Sequence, residues 1–171
     1  SQGHHVLLHG RNPEKLQATE TTLSGLTAGG RIESYAADLS NMAEVEALAS
    51  AVARQHASLD VLINNAGVYK TPGTITRDGL DVRFAVNTIA PYLLTQRLLP
   101  LLDASGRVVN LSSAAQAPVD AEALTGQLRL PDDYEAYAQS KLAITMWSRH
   151  IALALGQDGP VFIAVNPGSL L

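Results

Sequence analysis

Tyr137 and Lys141 stand four residues apart in the run Tyr-Ala-Gln-Ser-Lys. On a helix that spacing puts both side chains on one face, one turn apart. An ammonium beside a phenol favours the phenolate, which makes a tyrosine usable as a general acid or base nearer to neutral pH. Alone the pair is also what a surface tyrosine next to a solvated lysine looks like. Three other places in the chain ask for the same chemistry.

Each of the three is the exit of a short apolar run that reads as a buried strand. Leu59 to Ile63 leads into Asn64-Asn65-Ala66-Gly67, where small and amide residues would let a flat cofactor approach the backbone. Arg107 to Leu111 leads into Ser112-Ser113, hydroxyls that can donate to a carbonyl oxygen or accept from an alcohol. Val161 to Val165 leads into Asn166-Pro167-Gly168, by itself only a turn. The carboxyl ends of parallel strands are where open α/β sheets bind ligands.

The elements that must carry these residues alternate. His5 to His9 reads as a strand and Pro13 to about Leu26 as a helix, with Asn12 as N-cap. Arg31 to Ala37 is a strand. Asn41 to about His56 is a helix with apolar spacing at Val45, Leu48, Ala49 and Val52. A polar loop from Tyr69 to Arg77 precedes a helix from about Leu80 to Leu102, with a bend expected at Pro91. The last helix runs from about Asp133 to Leu155, and Asp132 and Asp133 suit its N-terminal dipole. Strands alternating with helices imply an α/β fold with a parallel sheet and right-handed crossovers.

Composition agrees with this class without selecting it. The 171 residues suit one domain; hydrophobic residues make up 46% and charged ones 16%. A net charge of -4 gives no basic field for nucleic acid, and the lack of cysteine excludes disulfides and thiolate metal sites. The five histidines show no metal-ligand spacing, so no metal is expected. No run approaches the length of a membrane span. A reducing, cytoplasmic setting is the expectation.

Taken in order, these pieces resemble the short-chain dehydrogenase/reductase family over essentially the whole chain. The resemblance implies a doubly wound Rossmann fold, spanning residues 1–171 as one partial domain, and hydride transfer between a nicotinamide cofactor and a carbonyl or alcohol. It assigns Tyr137 as general acid/base and Lys141 as its electrostatic partner and a contact of the nicotinamide ribose. Ser113 would steady the substrate oxygen, being the second of the serine pair. Asn87 would hold a water for proton relay to the lysine. Asn64, Asn65, Ala66 and Gly67 would line the cofactor and brace the sheet. Pro167 and Gly168 would flank the nicotinamide, and Asp38-Leu39 would meet the adenine. The family often self-associates through its helices, so a homo-oligomer is expected, with the Leu94-Leu98-Leu102 and Ile144-Ser148-Ile151 faces as candidates.

The chain departs from the family at both ends. It has no Gly-rich turn after a first strand, Ser1-Gln2-Gly3 looks like the end of a missing helix, and the sequence stops just past Pro167-Gly168. The resemblance therefore implies an incomplete chain. At the first visible strand's end, Gly10-Arg11-Asn12 stands where an acidic residue would favour NAD. Arg11, with Lys15 one turn later, suits a 2′-phosphate and favours NADP. The stretch from Ser113 to Tyr137 is longer than usual, as in the retinol-dehydrogenase-like branch, and reads equally as part of a lid or as a surface loop. Two other functions stay open: a non-catalytic nucleotide sensor or scaffold on the same fold, and an epimerase or dehydratase.

Overall fold

In the computed structural model, residues 3–26 and 30–168 are described; Ser1 and Gln2, expected to end a preceding helix, lie outside them. The chain forms two compact units, Ser1–Leu39 and Ser40–Leu171.

The first unit is a strand-helix-strand. Strand β1 (Val6–Gly10) pairs in parallel with β2 (Ile32–Ala36), in the register Val6 with Ile32 through Gly10 with Ala36. Helix α1 (Pro13–Leu26) connects them. Asn12 caps it as the sequence predicts, its Oδ1 accepting from Lys15 N at 2.9 Å. Leu16 is the buried residue of α1. A Cβ on Gly10 would lie 3.2 Å from Leu16 Cδ1, so the glycine lets the helix sit close to the strand end.

The second unit holds β3 (Val61–Asn64), β4 (Arg107–Leu111) and β5 (Val161–Val165), parallel and in the order β3-β4-β5. Val108 and Asn110 on β4 are fully buried. Helix α2 (Met42–Gln55) is capped by Asn41 and buries Val45, Leu48, Ala49 and Val52, the apolar set read from the sequence. It packs against α4 (Ala90–Leu98). Helix α6 (Asp133–Leu155) starts at Asp132, whose side chain accepts from Tyr134 N at 2.6 Å and Glu135 N at 3.0 Å, and ends at Gly156, with φ 60.

The helix expected over 80–102 is not continuous. It is a short turn, α3 (Val82–Phe84), then a π-turn (Ala85–Ile89), α4, and a 3-10 turn (Leu99–Leu101). The disturbance lies in the turn before Pro91, centred on Asn87. Pro91 has no N–H to give Asn87 O and its ring crowds that carbonyl, and the Asn87 side chain also bonds to other segments on both sides. π-turns inside helices are frequent at functional sites.

The faces expected to pair with another copy are largely covered within this chain. Leu98, Leu102, Ile144, Ser148 and Ile151 are buried within this chain, because α2 and the sheet already cover them. Among the described residues, no helix is long and apolar enough to cross a membrane.

Arg83 is the largest fully buried side chain, 1% exposed. Asp81 takes its guanidinium through Nε at 2.8 Å and Nη2 at 2.5 Å, and Asp133 binds Nη1. The Asp81 carboxylate holds the guanidinium charge even more firmly than arginine's ordinary value does. This cluster joins the turn before Asn87 to the first residue of α6.

Candidate active site

Parallel pairing brings the ends of β3, β4 and β5 to one edge. Ser112 N donates to Val165 O at 2.8 Å, so the exits of β4 and β5 stay joined past the regular strands. Asn65, Ala66, Gly67, Pro167 and Gly168 are all exposed along this edge. Gly168 has φ 83, a conformation that favours glycine, and its N–H donates to Asn166 Oδ1 at 3.2 Å.

Helix α6 brings Tyr137 and Lys141 to the same edge. Lys141 is 5% exposed, and burial lowers its pKa by disfavouring the ammonium. Its Nζ donates to Leu111 O at 2.7 Å, and its backbone oxygen accepts from Ser112 Oγ at 2.9 Å. The end of β4 thus grips Lys141 at both its head and its backbone. Lys141 Nζ lies 5.7 Å from the centroid of the half-buried Tyr137 ring, within the range of a cation–π contact. Ser113, the next residue along, is half-buried, and its Oγ accepts from Ala115 N at 3.1 Å. A hydroxyl that accepts one bond keeps its own O–H for donation.

The π-turn brings Asn87 to this group. Its amide clamps the backbone of Val68: Oδ1 accepts from Val68 N at 2.8 Å and Nδ2 donates to Val68 O at 2.9 Å. Nδ2 also donates to Ser140 Oγ at 3.0 Å, and Ser140 Oγ donates to Tyr137 O at 2.7 Å. A Cβ placed on Gly67 would lie 3.5 Å from Asn87 Oδ1 and 3.5 Å from Lys141 Nζ. A glycine therefore keeps open a space bordered by an amide oxygen and an ammonium, with the exposed Asn65-Ala66 backbone beside it. That is a fit for a polar, hydroxyl-bearing group of a flat cofactor.

Asn64 braces the sheet, as expected, but through a longer chain than the sequence suggests. Its Nδ2 donates to Thr95 Oγ1 at 3.1 Å and to Asn110 Oδ1 at 2.7 Å. Asn110 Nδ2 donates to Ser148 Oγ at 2.7 Å, and Ser148 Oγ donates to Ile144 O at 2.5 Å. The network is buried throughout and runs from α4 across two strands to α6. Satisfied buried networks of this kind fix the relative placement of the elements they join.

Several site residues escape a reading of sequence alone. Ser140, Thr88, Thr145 and Tyr69 are the main ones. Thr88 Oγ1 donates to Ser140 O at 2.8 Å, and Ser112 Oγ lies 2.7 Å from Thr145 Oγ1. The Tyr69 ring centroid is 5.0 Å from that of Tyr137, with the rings tilted at 52°. One signal was available: polar residues on otherwise apolar helix stripes, such as Ser148 between Ile144 and Ile151.

The stretch between Ser113 and Tyr137 contains a short helix, α5 (Ala121–Leu124), and is held down rather than free. Arg129 Nη1 donates to Gly79 O at 2.9 Å, and Asp120 N donates to Gln139 Oε1 at 3.0 Å. Its Val119 and Leu124 help line an apolar cavity of about 320 Å³ with Ile89, Tyr92, Met146 and Trp147, a lining that does not include Tyr137.

Arg11, Asp38 and Leu39 belong to the first unit. Arg11 is exposed directly after β1, and Asp38 and Leu39 follow β2, so parallel pairing puts all three at one edge of the two-stranded sheet.

The profile of the short chain dehydrogenase family matches residues 1–171. Mouse retinol dehydrogenase 13 is 33% identical over 171 residues, covering 98% of this chain and 51% of that protein. Human polyprenol dehydrogenase is 33% identical over 182 residues, covering 97% and 53%. A crystal structure of a metagenomic short-chain oxidoreductase in complex with NADP is 34% identical, with a TM-score of 0.74, covering 97% of this chain and 72% of that one. The chain spans about half the length of the curated relatives it matches.

Proposed function

The chain belongs to the short-chain dehydrogenase family, and on that premise we propose that it is the site-bearing part of an oxidoreductase acting on carbonyl or alcohol groups with NADP(H). The observation that carries the reading is the convergence at Gly67. Lys141 Nζ and Asn87 Oδ1 border one small space, and the Tyr137 ring stands beside the same ammonium.

Asn65, Ala66, Gly67, Pro167 and Gly168 would hold the nicotinamide half of the cofactor, and Lys141 its ribose hydroxyls. The nicotinamide supplies or accepts the hydride. In reduction, Tyr137 Oη gives its proton to the carbonyl oxygen while Ser113 Oγ donates a hydrogen bond to the same atom. The Lys141 ammonium offsets the phenolate charge that remains, and its burial strengthens that interaction by excluding water. A water beside Gly67, accepting from Lys141 Nζ and donating to Asn87 Oδ1, would return the proton.

Arg11, with Lys15 one turn on, would pair with the 2′-phosphate of NADP, and Asp38-Leu39 would meet the adenine. That relatives in NADP complexes share this fold supports the choice. The test is a panel of aldehydes, ketones and alcohols with the full-length protein, read by NADPH or NADH absorbance. Turnover preferring NADPH is expected, and Arg11→Ala should raise KM for NADPH about tenfold or more, the loss of one charged hydrogen bond, with little effect on NADH. No turnover on any substrate contradicts the reaction; a strong NADH preference contradicts the role of Arg11.

A further inference from the structure

We infer that Tyr69 is a positioning residue for Tyr137, holding the reacting phenol in place through ring contact; this rests on the Tyr137 assignment above. Tyr137 is half-buried on α6, which fixes its backbone and leaves the final placement of the ring to what packs against it. Two groups stand against that ring: the Lys141 ammonium at 5.7 Å and the Tyr69 ring at 5.0 Å, both measured to centroids. A tilted arrangement at 52° and that separation lies within the favoured range for aromatic pairs.

Tyr69 is itself anchored, although 40% exposed. It follows Val68, whose N–H and C=O are both held by Asn87. The Lys70 ammonium lies 5.5 Å from the Tyr69 centroid. Asn87 therefore reaches Tyr137 by two routes. One passes through Ser140 Oγ to the Tyr137 backbone oxygen. The other passes through Val68 and the Tyr69 ring to the phenol. The first sets where the residue sits on its helix; the second sets where its side chain points. The contact is made by the Tyr69 ring, so its hydroxyl is dispensable.

The test uses the full-length protein with Tyr69→Ala, Tyr69→Leu and Tyr69→Phe. Small errors in placing a reacting group carry large rate losses. Tyr69→Ala and Tyr69→Leu should lower kcat about tenfold, equivalent to about 1.4 kcal/mol, with KM and nucleotide Kd unchanged. Tyr69→Phe should restore kcat. A second readout does not depend on turnover: nitration of Tyr137 by tetranitromethane, followed by peptide mass spectrometry. Loss of the covering ring should speed it several-fold in the Ala and Leu variants, and not in Phe. Leu carries the test if Ala fails to fold. The inference is overturned if kcat holds in Ala and Leu, if KM rises instead, if Phe is as impaired as Ala, or if the nitration rate does not change. Retained turnover in Tyr137→Phe would instead refute the assignment of Tyr137, while the nitration result still reports on the ring contact.

Discussion

Removing the guanidinium of Arg83 by Arg83→Met should cost about 3 kcal/mol of folding free energy, at the low end of the range for breaking a buried ion pair from one side. Methionine keeps much of the aliphatic stem, so little packing is lost. Asp81, 6% exposed, loses the Nε and Nη2 bonds. It keeps the one from Arg83 backbone N at 2.9 Å, which the substitution leaves alone. The Asp133 side chain is 41% exposed and can return to water, so it adds little. The cost is thus one partly stranded buried carboxylate. Adding Asp81→Asn removes that charge, and the double variant should be more stable than the single one by about 1 kcal/mol or more. Urea unfolding of the full-length protein at neutral pH measures both. With ordinary denaturant slopes, the single variant's midpoint falls by about 1–3 M. A loss under about 1 kcal/mol, or a double variant no better than the single one, would refute the argument that Asp81 depends on Arg83 for its burial.

Two further stability outcomes follow from the site's construction. Asn110→Ala should cost about 2–4 kcal/mol, since Asn64 Nδ2 and Ser148 Oγ each lose one of their two bonds in a buried setting and a cavity is left; urea unfolding that shows no loss would mean the network is not what fixes α4 and α6. Lys141→Met tests the burial of the ammonium. Its folded pKa is lowered, so between that value and the unfolded one near 10.4 the unfolded chain binds more protons, and wild-type stability rises with pH there. Below that lowered folded value both states are protonated and the wild type carries the whole burial cost. Relative to Lys141→Met, the wild type should gain stability as pH rises through the lowered folded value toward about 10.4; a flat or falling difference over that rise contradicts the burial argument.

Much of the framework is legible in the sequence because it is local. Asn12 announces a helix start by side-chain capping and Asp132 by its charge, and the Val45, Leu48, Ala49, Val52 spacing gives the buried face of α2 directly. The strand exits at Asn64, Ser112 and Asn166 mark the sheet edge because parallel pairing aligns them. What is not legible depends on contacts between distant segments. Pro91 announces a break in its helix, but nothing in residues 85–89 announces Val68 and Ser140 as the partners of the Asn87 amide. The burial of Arg83 depends on Asp81 and on Asp133, which lies 50 residues further along the chain. The Leu98, Ile144 and Ile151 faces read as free to pair with another copy because hydropathy does not say which neighbour covers them. Tyr69 sits in a polar loop with no periodicity to mark it, and only its place beside Tyr137 gives it a role.

The most direct measurement is single-turnover reduction of a carbonyl substrate by the full-length protein, comparing wild type with Tyr137→Phe at saturating NADPH. The Phe variant should bind NADPH with a Kd close to wild type while its turnover is lost, because only the transferable proton has been removed. A Phe variant that reduces substrate at the wild-type rate would contradict the central claim that the Tyr137 phenol, beside the Lys141 ammonium, performs the proton transfer.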